Sequence, residues 1–239
     1  MQTLDYNDKV VMIINAGSGM GKLAAENFSR AGATLAICDA NQALIEALAA
    51  RLREEGCEVL AMACDASDEK QVQAFSAECL HCFDRIDVAI NSAVTLQEHS
   101  QPLDLAALDA QYQANIKGPF TCMKHQLSAM QEARGGVILN MSAQASVAGT
   151  ANLAADSASK HALIAMTKSA ALEYGRYGIR VNVLCPNEVE KSKSLATENT
   201  MPRPASLQEV VNAMLWLCSD YNSYMNGAVI PMDDGLTAI

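Results

Sequence analysis

Asp156 and Lys160 stand four residues apart in the run Asp156-Ser157-Ala158-Ser159-Lys160. On a helix that spacing puts a carboxylate and an ammonium on one face, where they form an ion pair or move a proton. Far upstream, Asn15-Ala16-Gly17-Ser18-Gly19-Met20-Gly21 follows an apolar run. Glycines in such a place give a tight turn and let a pyrophosphate approach the backbone at a helix N-terminus. Asp39 closes the next apolar run. A carboxylate there accepts hydrogen bonds from a ribose 2′-hydroxyl and repels a 2′-phosphate, or it caps the helix that follows.

The elements that must hold these residues alternate along the chain. Apolar, β-rich runs at Lys9–Ile14, Thr34–Cys38, Glu58–Ala63, Ile86–Asn91, Val137–Met141, Arg180–Leu184 and Ala228–Pro231 predict strands. Helical patterns lie between them, near 20–31, 42–55, 69–82, 105–131, 157–175 and 207–218. Continuous apolar strands are those buried on both faces, so the alternation predicts an α/β fold with a doubly wound parallel sheet. No repeat, low-complexity segment or composition break divides residues 1–239, and one domain is expected. Ser206, with Glu209 three residues on, predicts a capping box at the last helix.

Composition excludes several classes of function. Half the residues are apolar, enough for one large core. A net charge of −10 opposes nucleic-acid binding, which needs a basic face. No apolar run approaches the length of a membrane span, and residues 1–9 lack the blocks of a secretory signal. Eight cysteines scattered through helix and strand patterns fit a reducing cytoplasm. Cys79-Leu-His-Cys82 has no second ligand pair at zinc spacing, so packing is expected there and no metal.

The layout as a whole resembles the short-chain dehydrogenase/reductase family. The resemblance rests on Gly19 and Gly21, on Asn91-Ser92-Ala93-Val94, on Gly136 to Ser142, on Lys160, and on Gly178-Ile-Arg-Val-Asn-Val-Leu-Cys-Pro186. It runs from Lys9 to Ala238. It implies a seven-stranded, three-layer α/β/α Rossmann domain with strand order 3-2-1-4-5-6-7, usually a dimer or tetramer built on the long helices. It also implies roles for single residues. Asn115 matches a helix asparagine that organises a water and the active lysine, and Lys160 matches the lysine that holds the nicotinamide ribose. Asp65 matches an acid that contacts adenine, although Asp65 and Asp68 serve equally as turn or capping residues. Asn91 falls in the family's cofactor-side motif after strand four.

Five positions depart from the pattern. Asp156 stands where the family has tyrosine, and Ala143 where it has serine. Asn15, Val94 and Asn187 replace glycines and are expected to place side chains in the volume a dinucleotide uses. Asparagine tolerates left-handed backbone angles, so the turns at 15 and 187 are expected to survive the exchange. Ser142 points away from the face that Ala143 serves, because neighbours on a strand alternate. Aspartate is also roughly 3 Å shorter than tyrosine, enough to spoil direct proton transfer. The segment 187–205 is shorter than the family's usual substrate lid.

These departures predict a catalytically silent subunit. It is expected to bind NAD weakly if at all, and to assemble with an active NAD-dependent paralogue or with itself. The resemblance extends to the non-catalytic subunit of the heterotetrameric hydroxyacyl-CoA dehydrogenase of anaerobic toluene degradation. Two other readings stay open: an NAD(H)-dependent oxidoreductase of this family with a non-standard site, and a non-redox lyase or isomerase that uses Asp156 as a base.

Overall fold

A computed structural model describes residues 4–92, 103–143, 146–147, 149, 152–187, 201 and 203–238. Seven strands form one sheet: β1 (Val10–Ile14), β2 (Thr34–Asp39), β3 (Val59–Ala63), β4 (Val88–Asn91), β5 (Gly136–Met141), β6 (Ile179–Pro186) and β7 (Val229–Met232). All pairs are parallel, in the order β3-β2-β1-β4-β5-β6-β7. The helices are α1 (Gly19–Arg30), α2 (Gln42–Glu54), α3 (Glu69–Phe83), α4 (Leu105–Gln111), α5 (Gly118–Ala133), α6 (Ala154–Tyr174) and α7 (Leu207–Cys218).

The period of two along each strand sorts its side chains into two cores. Val11 and Ile13 of β1 join Phe28 of α1, Leu48 of α2 and Met214 of α7 on one face. Val10, Met12 and Ile14 join Phe75 of α3, Met123 of α5 and Ala170 of α6 on the other. Burial on both faces is why these strands read as unbroken apolar runs. The capping box at α7 forms as expected, with Ser206 and Glu209 each bonding the other's backbone N–H.

Two helix expectations need correction. The single helix expected over 105–131 is broken by a π-helical segment, Tyr112–Lys117, between α4 and α5. Pro119 has no N–H to give the carbonyl four residues back, which is that of Asn115, and a wider turn absorbs the defect. On α6, one of the long helices on which the resemblance builds an assembly, the apolar residues also divide. Leu163, Ala170 and Ala171 are buried in the chain's own core, Ile164 and Met166 are half-buried, and Leu172 alone is exposed, at 88%. Among the described residues no helix is long and apolar enough to cross a membrane.

Candidate active site

The carboxyl ends of β1, β2, β4 and β5 meet the start of α1 and the first turns of α6, the crevice that open α/β sheets use for ligands. The turn after β1 is built on one left-handed glycine and two close approaches. Gly19 is left-handed, at φ 52°, and a side chain there would meet only open space. A Cβ on Gly21 would lie 2.2 Å from the Asn15 carbonyl oxygen, so only glycine lets α1 start this close to the strand. Gly17 donates its N–H to Asp39 Oδ2 at 2.9 Å, and a Cβ there would strike that carboxylate.

Asn15 adopts φ 59°, the left-handed conformation expected of it. Its side chain does not stand in the turn: Nδ2 donates to the Ser92 carbonyl at 2.7 Å and ties the end of β1 to the end of β4. Asn187 is not left-handed; its N–H bonds the Met232 carbonyl at 2.9 Å and extends the β6–β7 ladder. Val94 and residues 188–200 of the shortened lid lie outside the described residues.

A dinucleotide fits what remains. Ser18, the N-cap of α1, makes no side-chain bond to the helix, and the first turn carries no acid, so its N–H groups and positive dipole end face the crevice. Asp39 Oδ1 takes the Asn41 N–H at 2.9 Å; each carboxylate oxygen keeps a further lone pair for a ribose hydroxyl. Asp65 is a turn residue: Oδ1 accepts from the Ser67 N–H and hydroxyl, both at 2.8 Å, and Asp68 caps α3.

Asn91 differs from the role the motif suggested. Its Nδ2 donates to Gln126 Oε1 at 3.0 Å and to Asn140 Oδ1 at 2.9 Å, and its Oδ1 accepts from Gln126 Nε2 at 2.8 Å. The chain of bonds continues from Asn140 Nδ2 to Thr167 Oγ1 at 2.9 Å, and from that hydroxyl to the Leu163 carbonyl at 2.8 Å. Every member is at most 2% exposed. Asn91 therefore serves the site by fixing the end of β4, not by offering its amide to a ligand. Sequence reading passed over Gln126, Asn140 and Thr167. The available signal was a polar residue inside an apolar pattern, as in Val137-Ile-Leu-Asn140-Met.

On the catalytic side, Asn115 lies in the π-helical segment and is fully buried. Its Nδ2 donates to Gln111 Oε1 at 2.5 Å and to Ser159 Oγ at 3.1 Å, and its Oδ1 has no partner among the described residues. Ser159 Oγ donates to the Asp156 carbonyl at 2.8 Å, which joins Asn115 to the start of α6. Asp156 and Lys160 form a buried ion pair, Oδ2 to Nζ 3.0 Å, with the residues 6% and 2% exposed. Asp156 sits in the first turn of α6, where the helix dipole also favours a negative charge. Its second oxygen, Oδ1, makes no hydrogen bond among the described residues. Ala143 is half-buried just beyond β5, and the neighbouring Ser142 hydroxyl is buried without a partner among the described residues.

The chain belongs to the short-chain dehydrogenase/reductase family. The family profile described as "Enoyl-(Acyl carrier protein) reductase" matches residues 14–237. The chain is 32% identical to a levodione reductase of Leifsonia aquatica, over 99% of this chain and 97% of that protein. It is also 32% identical to a 2,5-dichloro-2,5-cyclohexadiene-1,4-diol dehydrogenase of Sphingobium indicum, over 98% of this chain and 99% of the other. The crystal structure of levodione reductase superposes with a TM-score of 0.92 at 30% identity, covering 98% of this chain and 99% of that one. A 7α-hydroxysteroid dehydrogenase complexed with NADH and 7-oxo glycochenodeoxycholic acid gives 0.90 at 25% identity, covering 98% and 96%.

These relatives overturn the expectation of a silent subunit. Proteins that match this chain from end to end are named for the oxidations and reductions they perform. They lend no support to weak cofactor binding, to a heterotetramer or to the toluene-pathway subunit. The inference failed because it treated each lost motif residue as lost function, whereas Asn15 folds its side chain onto Ser92 and leaves the glycine turn open.

Proposed function

We propose that this chain is an NAD(H)-dependent oxidoreductase acting on a carbon-bound hydroxyl or its carbonyl product, with Asp156 at the position of proton transfer. The observation that carries this reading is Asp156 Oδ1, a buried carboxylate oxygen with no partner among the described residues, on a side chain whose other oxygen is held by Lys160. Leaving such an acceptor unsatisfied costs roughly 1–3 kcal/mol or more. A substrate hydroxyl or a relaying water would remove that cost.

NAD, when bound, supplies the hydride acceptor. The residues of the chain do the rest. Gly17, Gly19 and Gly21 with the first turn of α1 would hold the pyrophosphate, and Asp39 the adenosine ribose. Lys160 pairs with Asp156 Oδ2 and orients the carboxylate, whose place in the reaction is that of a base, which suits alcohol oxidation. Asp156 Oδ1 accepts the hydroxyl proton. The roughly 3 Å lost with the tyrosine ring is about the diameter of one water, and transfer through one water stays within general-base geometry.

Calorimetric titration tests the cofactor half of this reading. NADH is expected to bind at least about tenfold tighter than NADPH, because Asp39 faces the 2′ position, a difference of roughly 1.4 kcal/mol. Equal affinities, or no saturable binding of NADH, would remove the proposal.

We also propose that the chain associates with a second copy of itself. Leu172 is 88% exposed, Leu105 75% and Phe120 60%, large apolar groups on the helices of one side of the sheet. A second copy packed on these helices would cover them. Light scattering is expected to give the mass of a dimer or tetramer; a monomer at micromolar concentration contradicts this.

A further inference from the structure

The opposite edge of the sheet holds a cavity of about 680 Å³, open between the starts of β1, β4, β5 and β6. Small-molecule sites occupy roughly 300–1,000 Å³, so the volume suits a ligand. Strands of this length separate the cavity from the glycine turn and Asp156 by roughly 17–20 Å. It is a different place, with a different charge.

Lys9, Arg85, Arg134 and Arg180 line it, against Asp5, Asp87 and Asp220. Four cations facing three carboxylates leave one net positive charge here, in a chain whose net charge is −10. The pairing is uneven. Lys9 lies 3.6 Å from Asp220, and Arg85 pairs with Asp87, whose other oxygen accepts the Val10 N–H at 2.9 Å. Asp5 takes the Asn7 N–H. Among the described residues, Arg134 and Arg180 have no carboxylate partner within salt-bridge distance.

Arg180 is the telling one, because it is only 8% exposed. Its guanidinium donates to the carbonyls of Leu217 and Met225, both at 3.3 Å, and of Ser219 at 3.1 Å. A guanidinium has five N–H groups, so three such bonds leave two over. Burial draws its pKa below the ordinary guanidinium value, as expected of a charge short of a counter-ion. Arg134 is exposed at the end of α5, in a left-handed conformation that turns the chain into Gly135 and Gly136. A Cβ added to Gly135 would meet nothing within 4 Å, so backbone, not side chain, faces the cavity there.

We propose that this cavity is a second binding site, for a small organic anion whose phosphate or carboxylate group is taken by Arg134 and Arg180. The planar fork of arginine matches both oxyanions, and a buried guanidinium gains most from one. The proposal is independent of the cofactor and of the chemistry at Asp156.

Two variants leave the fold alone and test it. Arg134→Gln removes an exposed charge that makes no ion pair. Gly135→Asp places a carboxylate in open space at the cavity. Inorganic phosphate and citrate are titrated calorimetrically into wild type and both variants, and again at raised sodium chloride. At least one of the two anions is expected to saturate wild type with a Kd below about 1 mM, weakening with salt. Both variants are expected to lose that affinity at least tenfold, with NADH binding as in wild type. The tighter of the two probes identifies the oxyanion. Failure of both anions to saturate wild type overturns the proposal. So does unchanged affinity in either variant, since the anion would then lie elsewhere, the glycine turn included.

Discussion

Asp156→Asn is expected to lower kcat for alcohol oxidation by about 10²- to 10⁴-fold, the range for loss of a positioned general base. The exchange keeps shape and keeps an oxygen for the Lys160 ammonium, but an amide nitrogen replaces the oxygen that is to accept the proton. NADH affinity should stay within about threefold, because Asp156 is not among the groups that would hold the nucleotide. A complication follows from the geometry. Removing one partner of a buried ion pair leaves the other charge uncompensated, at roughly 3–5 kcal/mol. The double variant Asp156→Asn/Lys160→Met removes both charges and should recover stability but not turnover. Steady-state rates and urea unfolding of the three proteins separate the two effects. Turnover of the single variant near the wild-type rate would show that Asp156 is no base.

The second large effect concerns stability. Asn140→Leu should cost roughly 2–4 kcal/mol, because it strands buried partners on both sides. Asn91 loses the acceptor at 2.9 Å, and Thr167 loses the donor at 2.9 Å while its own hydroxyl stays committed to Leu163. The leucine matches the asparagine in shape, so little of the loss would come from a cavity. Urea unfolding at fixed protein concentration reads the change. A shift below about 0.5 kcal/mol, the size of an ordinary surface substitution, would mean the amide chain is not holding the layers together.

Most of the architecture was legible because the strands are buried on both faces and the helices between them are regular. Where it was not, a local exception was responsible. Pro119 divides the helix over 105–131 by denying Asn115 its usual backbone donor, an effect that apolar periodicity does not register. On α6 the apolar and polar residues from Leu163 to Leu172 do not sort cleanly by burial, with Thr167 buried and Leu172 exposed, so composition could not say which residues turn inward. The site was legible as positions but not as partners. Asp156 and Lys160 could be paired from their spacing alone, since one helix fixes both. Asn91 could not be assigned, because its direction depends on the register that sets Asn91 beside Asn140 across two strands. Asn15 shows the same limit. Its left-handed backbone was foreseeable, but the bond to Ser92 joins residues 77 apart in sequence.

The buried amide chain has a consequence for the order in which the molecule assembles. Its links span 35, 49 and 27 residues and join β4, α5, β5 and α6. None of them can form within one segment, so the chain of bonds closes only after four elements have docked. The helix that carries Asp156 and Lys160 is tied into this chain of bonds at Thr167, so the site keeps its shape only while all four elements stay docked.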